Sequence, residues 1–168
     1  DGVTYTVTGI ADNAFSGCKS LTSVSIPASV TTIGKNAFSG CERLSAITLP
    51  ANLTTIGEKA FFDCKAIPAI AIPASVTSIG DFALSNCSVL TEFWCYAEAL
   101  PSASADTFDG TDIGAATLYV PKASLTLYKT RAPWSGFGSI VPIEGYTTYN
   151  INDEMASLSI ASEESGIS

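Results

Sequence analysis

The sequence predicts a solenoid: a stack of like coils with a parallel β-sheet along one side and short turns along the other. Three observations carry this: a strict register, an apolar alternation inside each unit, and a proline that closes it. Cys18, Cys41, Cys64 and Cys87 end the phrases NAFSGC, NAFSGC, KAFFDC and FALSNC, with 41 − 18 = 64 − 41 = 87 − 64 = 23. Ile10, Ile33, Ile56 and Ile79 keep the same beat, as do Leu21, Leu44, Ile67 and Leu90, and Pro27, Pro50 and Pro73. A fixed period of this size marks a supersecondary unit that buries its apolar side only against its neighbours.

Each unit justifies its own elements. In LTSVSIP and its counterparts the pairs Val24 and Ile26, Ile47 and Leu49, and Ile70 and Ile72 alternate with small polar or alanine residues. Period two marks a strand with one buried face, and the following proline ends it because it cannot donate to a ladder. The second half, SVTTIGKNAFSGC, is expected to bury Val30, Ile33, Ala37, Phe38 and Cys41 around a short helical turn. Gly34, Gly57 and Gly80 suit a bend with positive φ, although Ala11 holds that place in the first unit. Lys35, Glu58 and Asp81 then face solvent. These elements predict four regular turns over about residues 9–95, wound as a right-handed superhelix.

The ends depart from the repeat. Val3, Tyr5 and Val7 alternate within residues 2–9 and predict opening strands. Beyond Cys95, Thr107 and Phe108 stand near the next Ala–Phe position, and Leu118, Val120 and Pro121 resemble a further strand two residues late. LTLYKTR predicts a short helix, 136–143 a last strand, and Trp134 with Phe137 a plug for the core. The expected repeat domain is therefore 1–143, with a C-terminal cap over about 96–143. Residues 144–168, rich in acids and serine, read as a linker or the start of a following module. The opening at Asp1 reads as a mature or trimmed segment.

Composition narrows the function. Net charge is −8, from 16 acids and 8 bases, and no basic stripe exists to neutralise phosphates. Nucleic acid and anionic membrane surfaces are therefore poor partners, and no apolar run reaches the length of a membrane span. The chain has no histidine, which removes Ser–His and Cys–His nucleophile pairs. The remaining carboxylates are scattered over turns, and no glycine-rich phosphate cradle occurs. DTFDGTD lacks the length and closing glutamate of a calcium loop, so a turn at Asp109 and Gly110 is the expectation. Neither catalysis, metal nor cofactor is expected.

The five cysteines allow disulfides, a metal site or buried thiols. A ladder points its side chains one way, which fits a disulfide dihedral poorly and cannot converge on a tetrahedral metal. Buried, reduced thiols acting as small apolar residues, silent to thiol reagents in the native fold, are the expectation.

The wording IPxxVTxIGxxAFxxC, repeated at this period, closely resembles the BspA-like, treponemal-type leucine-rich repeats over about residues 9–95. The segment ATLYVPKASLTLYK…W…IVPI resembles the usual closing piece of such proteins. The resemblance implies a β-rich leucine-rich-repeat solenoid on a secreted or cell-surface bacterial protein, of a kind common among Bacteroidetes. It also implies adhesion to proteins of a host or neighbouring cell.

Binding is expected on the strand face. Its outward residues are Ser23 and Ser25, Ala46 and Thr48, Ala69 and Ala71, then Glu92 and Trp94. Small, uncharged side chains thus end in an acid and an indole, a residue type enriched at binding hot spots and suited to stacking on sugars. The competing reading packs Trp94 beneath the irregular 96–116 segment as part of the cap. The partner is then an extracellular protein, such as a host matrix protein, or a glycan, bound by a monomer. A structural spacer in a larger surface protein is the other reading.

Overall fold

In a computed structural model, residues 2–144 are described, and they form one stack of coils. The chain runs β1 (Gly9–Ile10), β2 (Ser23–Ser25), β3 (Thr32–Ile33), β4 (Ala46–Thr48), β5 (Thr55–Ile56), β6 (Ala69–Ile72), β7 (Ser78–Ile79) and β8 (Glu92–Cys95). There follow β9 (Thr117–Val120), the helix α1 (Leu125–Thr130) and β10 (Ser139–Pro142), with short 3-10 turns between them. The expected linker residues 145–168 lie outside the described part.

Every strand pairing is parallel, and the register follows the sequence beat. Ser23 faces Ala46 and Ser25 faces Thr48, while Ala71 faces Trp94. A second sheet was not evident from the sequence: β1, β3, β5 and β7 pair side by side, built from two-residue Thr–Ile or equivalent segments. Strands this short carry too little alternation to be read as strands.

The main strand face is split into β2–β4 and β6–β8–β9–β10. Pro68 accounts for the split. Ser45 and Thr91, one period either side of it, each donate a backbone N–H to the preceding coil, at 3.0 Å to Thr22 and 3.0 Å to Pro68 respectively. Proline has no N–H to give, so β6 lies beside β4 without the ladder.

The glycine expectation needs correction. Positive φ falls at Asn13, Asn36, Lys59 and Phe82, two residues after Ala11, Gly34, Gly57 and Gly80, and not at these glycines themselves. The glycines serve close approach instead. A Cβ on Gly57 would lie 2.7 Å from the carbonyl carbon of Gly34, and one on Gly80 would lie 2.5 Å from the amide nitrogen of Glu58. Ala11 is tolerated because no described coil precedes it. The turns behind these corners close through i→i−3 bonds such as Cys41 N to Phe38 O at 3.1 Å. They stack through bonds such as Phe38 N to Ala60 O at 2.8 Å.

The core is a set of columns. Val30, Ile33, Ala37, Phe38, Cys41 and Leu44 are all buried, and the next two coils repeat them. Phe15, Phe38 and Phe61 stack with near-parallel rings at centroid distances of 5.2 and 5.4 Å. At the C-terminal end Trp134 and Phe137 are buried as expected, in edge-on or tilted contact with Phe93, Phe108 and Tyr128. The N-terminal end differs from expectation. Residues 2–8 form no strand, and Val3, Tyr5 and Val7 are exposed, because no described coil lies beneath to pair with them.

Candidate functional site

The cysteine column was the first candidate for chemistry, and its geometry is structural. All five cysteines are free; Cys41, Cys64, Cys87 and Cys95 are buried. The thiols of Cys41, Cys64 and Cys87 donate to the carbonyls of Phe15, Phe38 and Phe61 at 3.2, 3.2 and 3.3 Å, each across one coil. Thr111 occupies the next place in this column, its hydroxyl donating to the carbonyl of Leu84 at 2.6 Å. The position therefore asks for a small donor, which either a thiol or a hydroxyl supplies. Burial pushes the Cys87 thiol up to about 12 and raises Cys41, Cys64 and Cys95 as well, so none is an activated nucleophile. Cys18 corrects the expectation of a uniformly sealed column. It is exposed, because the coil that would cover it is absent from the described residues.

Gly110 sits in a left-handed turn after Asp109, as DTFDGTD implied. Among the described residues no cluster of cysteine and carboxylate side chains is arranged to hold a metal ion.

The strand face brings the other candidates into two groups. Ser23, Ser25, Ala46 and Thr48 are exposed on β2 and β4. Ala69, Ala71, Glu92 and Trp94 lie on β6 and β8, in register, with Ala69 beside Glu92 and Ala71 beside Trp94. Glu92 is exposed and Trp94 half-buried. The Trp94 indole stacks on Tyr119 of β9 with centroids 3.9 Å apart and planes 7° from parallel. Tyr96 stands next along the chain, 6.4 Å from Trp94 and inclined by 19°. The Trp94 ring nitrogen donates to Glu92 Oε2 at 3.5 Å.

Tyr96 and Tyr119 are functional candidates that sequence reasoning did not single out. The signal for Tyr119 was present: it precedes the Val120–Pro121 pair of the late strand, and the two-residue delay places it opposite Trp94. Beside the aromatic residues lies a hollow of about 320 Å³ lined by Leu49, Ala51, Ala71, Pro73, Ala74 and Tyr96. A shelf of small side chains thus meets an aromatic wall, a shape that can receive a flat group of a ligand.

Parallel coils with this register and these buried columns define a leucine-rich-repeat protein. The chain belongs to the BspA type leucine rich repeat family, whose profile matches residues 8–129 in 6 copies. The matched segment continues past Cys95, in keeping with β9 extending the sheet of β6 and β8.

Solved structures with the same fold include a leucine-rich repeat protein of T. pallidum, at 24% identity and a TM-score of 0.66. That alignment covers 99% of this chain and 79% of the other. A leucine-rich cell surface protein of Faecalibacterium prausnitzii A2-165 matches at 24% identity and a TM-score of 0.55, over 86% of this chain and 31% of its own. The pneumococcal vaccine antigen PcpA matches at 19% identity and a TM-score of 0.55, over 82% of this chain and 39% of its own. No curated protein sequence matches the chain. Leucine-rich repeats of this kind are typically non-catalytic, and no helix among the described residues is long and apolar enough to cross a membrane.

Proposed function

We propose that the chain is a protein-binding module of a secreted or surface-exposed bacterial protein, acting without catalysis as a monomeric, right-handed coil stack. The observation that carries this is the abrupt change along the strand face. Small uncharged residues from Ser23 to Ala71 give way to Trp94 stacked on Tyr119. Aromatic anchors set in a well-packed surround dominate interface energies, whereas a strip of serine, alanine and threonine adds mainly fit. The ligand is an extracellular protein, such as a matrix component of a host or a surface protein of a neighbouring cell. The repeat domain ends near residue 143, and residues 144–168 are a linker or the start of a following module.

Immobilised chain probed with purified matrix proteins and with a glycan array tests this reading. A protein ligand is expected whose affinity falls about thirtyfold in Trp94→Ala, the loss of one ~2 kcal/mol anchor. Binding that survives Trp94→Ala and maps to the turn side overturns it. Ring stacking also favours a second reading, glycan binding, for which the array hits would be oligosaccharides. Silence in both assays is the outcome for a spacer.

A further inference from the structure

Trp94 has two faces, and the sheet treats them differently. Strand β8 lies between β6 and β9. On the β9 side the indole is covered by Tyr119 at 3.9 Å. On the β6 side its register partner is Ala71, an exposed methyl too short to cover a ring that stands off the sheet. Tyr96, inclined only 19° to Trp94, prolongs that side into a wall over the hollow at Ala71 and Pro73. At the edge of the indole stands the Glu92 carboxylate, held there by the 3.5 Å bond from the Trp94 ring nitrogen.

The outward positions of β2, β4, β6, β8, β9 and β10 carry a single charge, that of Glu92, in a chain of net charge −8. An aromatic face with a carboxylate at its rim specifies a flat cation. A guanidinium stacks on a ring and directs its N–H donors outward in its own plane, where a carboxylate accepts them. An ammonium has no plane to stack, and a neutral sugar brings no charge to match Glu92. An anionic group meets repulsion from the carboxylate.

We infer that the corner formed by Trp94, Ala71 and Glu92 is a receptor for an arginine side chain, carried by a basic segment of the partner protein that continues over Ala71 into the hollow. This rests on the strand-face reading and names the chemistry which that reading leaves open.

The test uses three probes, the peptide amide Gly-Arg-Gly-Arg-Gly and its versions with lysine or with citrulline, the neutral isostere of arginine. The indole N–H resonance of Trp94, assigned by its loss in Trp94→Leu, reports binding. That of buried Trp134 reports an intact fold. The arginine peptide is expected to shift the Trp94 signal saturably, about tenfold more tightly than the lysine peptide, with no saturation by citrulline. Glu92→Gln weakens binding about tenfold. Ala71→Trp fills the open face and abolishes it while leaving Trp94 and Glu92 in place.

Equal binding of the arginine and citrulline peptides overturns the inference, as does unaltered binding by Ala71→Trp. A protein ligand released by Thr48→Tyr but indifferent to Glu92→Gln overturns it while leaving the strand-face reading intact. A ligand indifferent to both removes that reading as well.

Discussion

The two ends of the stack start from the same columns and finish them in opposite ways. At the C-terminal end Trp134, Phe137 and Tyr128 close over Phe93 and Phe108, and Trp134 is only 1% exposed. At the N-terminal end Phe15 is half-buried, Cys18 exposed, and Tyr5 is 86% exposed. Phe15 and Cys18 occupy the repeat positions of Phe38 and Cys41, which are fully buried. Repeat position therefore fixes which way a side chain points, but burial requires a coil on each side.

The largest effect that would break this comparison is Trp134→Ala. Removing the plug should cost ~3–5 kcal/mol in denaturant unfolding, whereas Phe15→Ala, at the open end, should cost less than half as much. Equal losses would show that both ends are sealed alike.

Next comes the corner column. Gly57→Ala drives a methyl into the Gly34 backbone and should cost ~1–3 kcal/mol. Ala11→Gly, where no described coil lies beneath, should cost no more than the ~1 kcal/mol of an added glycine.

A smaller effect comes from pH. An unfolded chain ionises its thiols near 9.0, while burial holds Cys87 neutral to about 12. The folded state binds the proton more tightly, so this contribution is complete below pH 9 and declines as pH rises toward about 12. Unfolding midpoints should fall between those limits, and less so in Cys87→Ser.

The smallest perturbation is labelling. One of the five cysteines, Cys18, should react with a thiol reagent in native protein, and the rest only after denaturation. Fast reaction at Cys41 would place the open end one coil further in.

The repeat itself was legible because every buried column recurs at one interval, and the strand positions around Val24, Ile47 and Ile70 pair as their alternation implied. The glycine role was not legible. A conformational requirement and a crowding requirement both select glycine, and only the placement of the neighbouring coil distinguishes them. The short Thr–Ile sheet escaped because two residues have no period. Thr111 escaped because its hydroxyl stands in for a sulfur, so matching residue names hid a shared donor function. At the site, Glu92 and Trp94 were visible as a departure from small residues. Tyr119 joined them only once the longer final coil was laid beside β8.

The hydrogen bonds that join coils reach only the neighbours on either side, and this makes the coil an interchangeable part. Excising residues 44–66 would join Arg43 to Ile67, the residue one period after Leu44, and would set Gly80 over Gly34 and Leu84 over Phe38 in the old arrangement. The ring and register contacts of Trp94 with Ala71, Glu92, Tyr96 and Tyr119 lie outside the excised coil, while the hollow beside them would exchange Leu49 and Ala51 for Ile26 and Ala28 of the coil before. The small-residue shelf is thus a ruler that can be shortened or lengthened one coil at a time, while the aromatic stop at its end stays where it is.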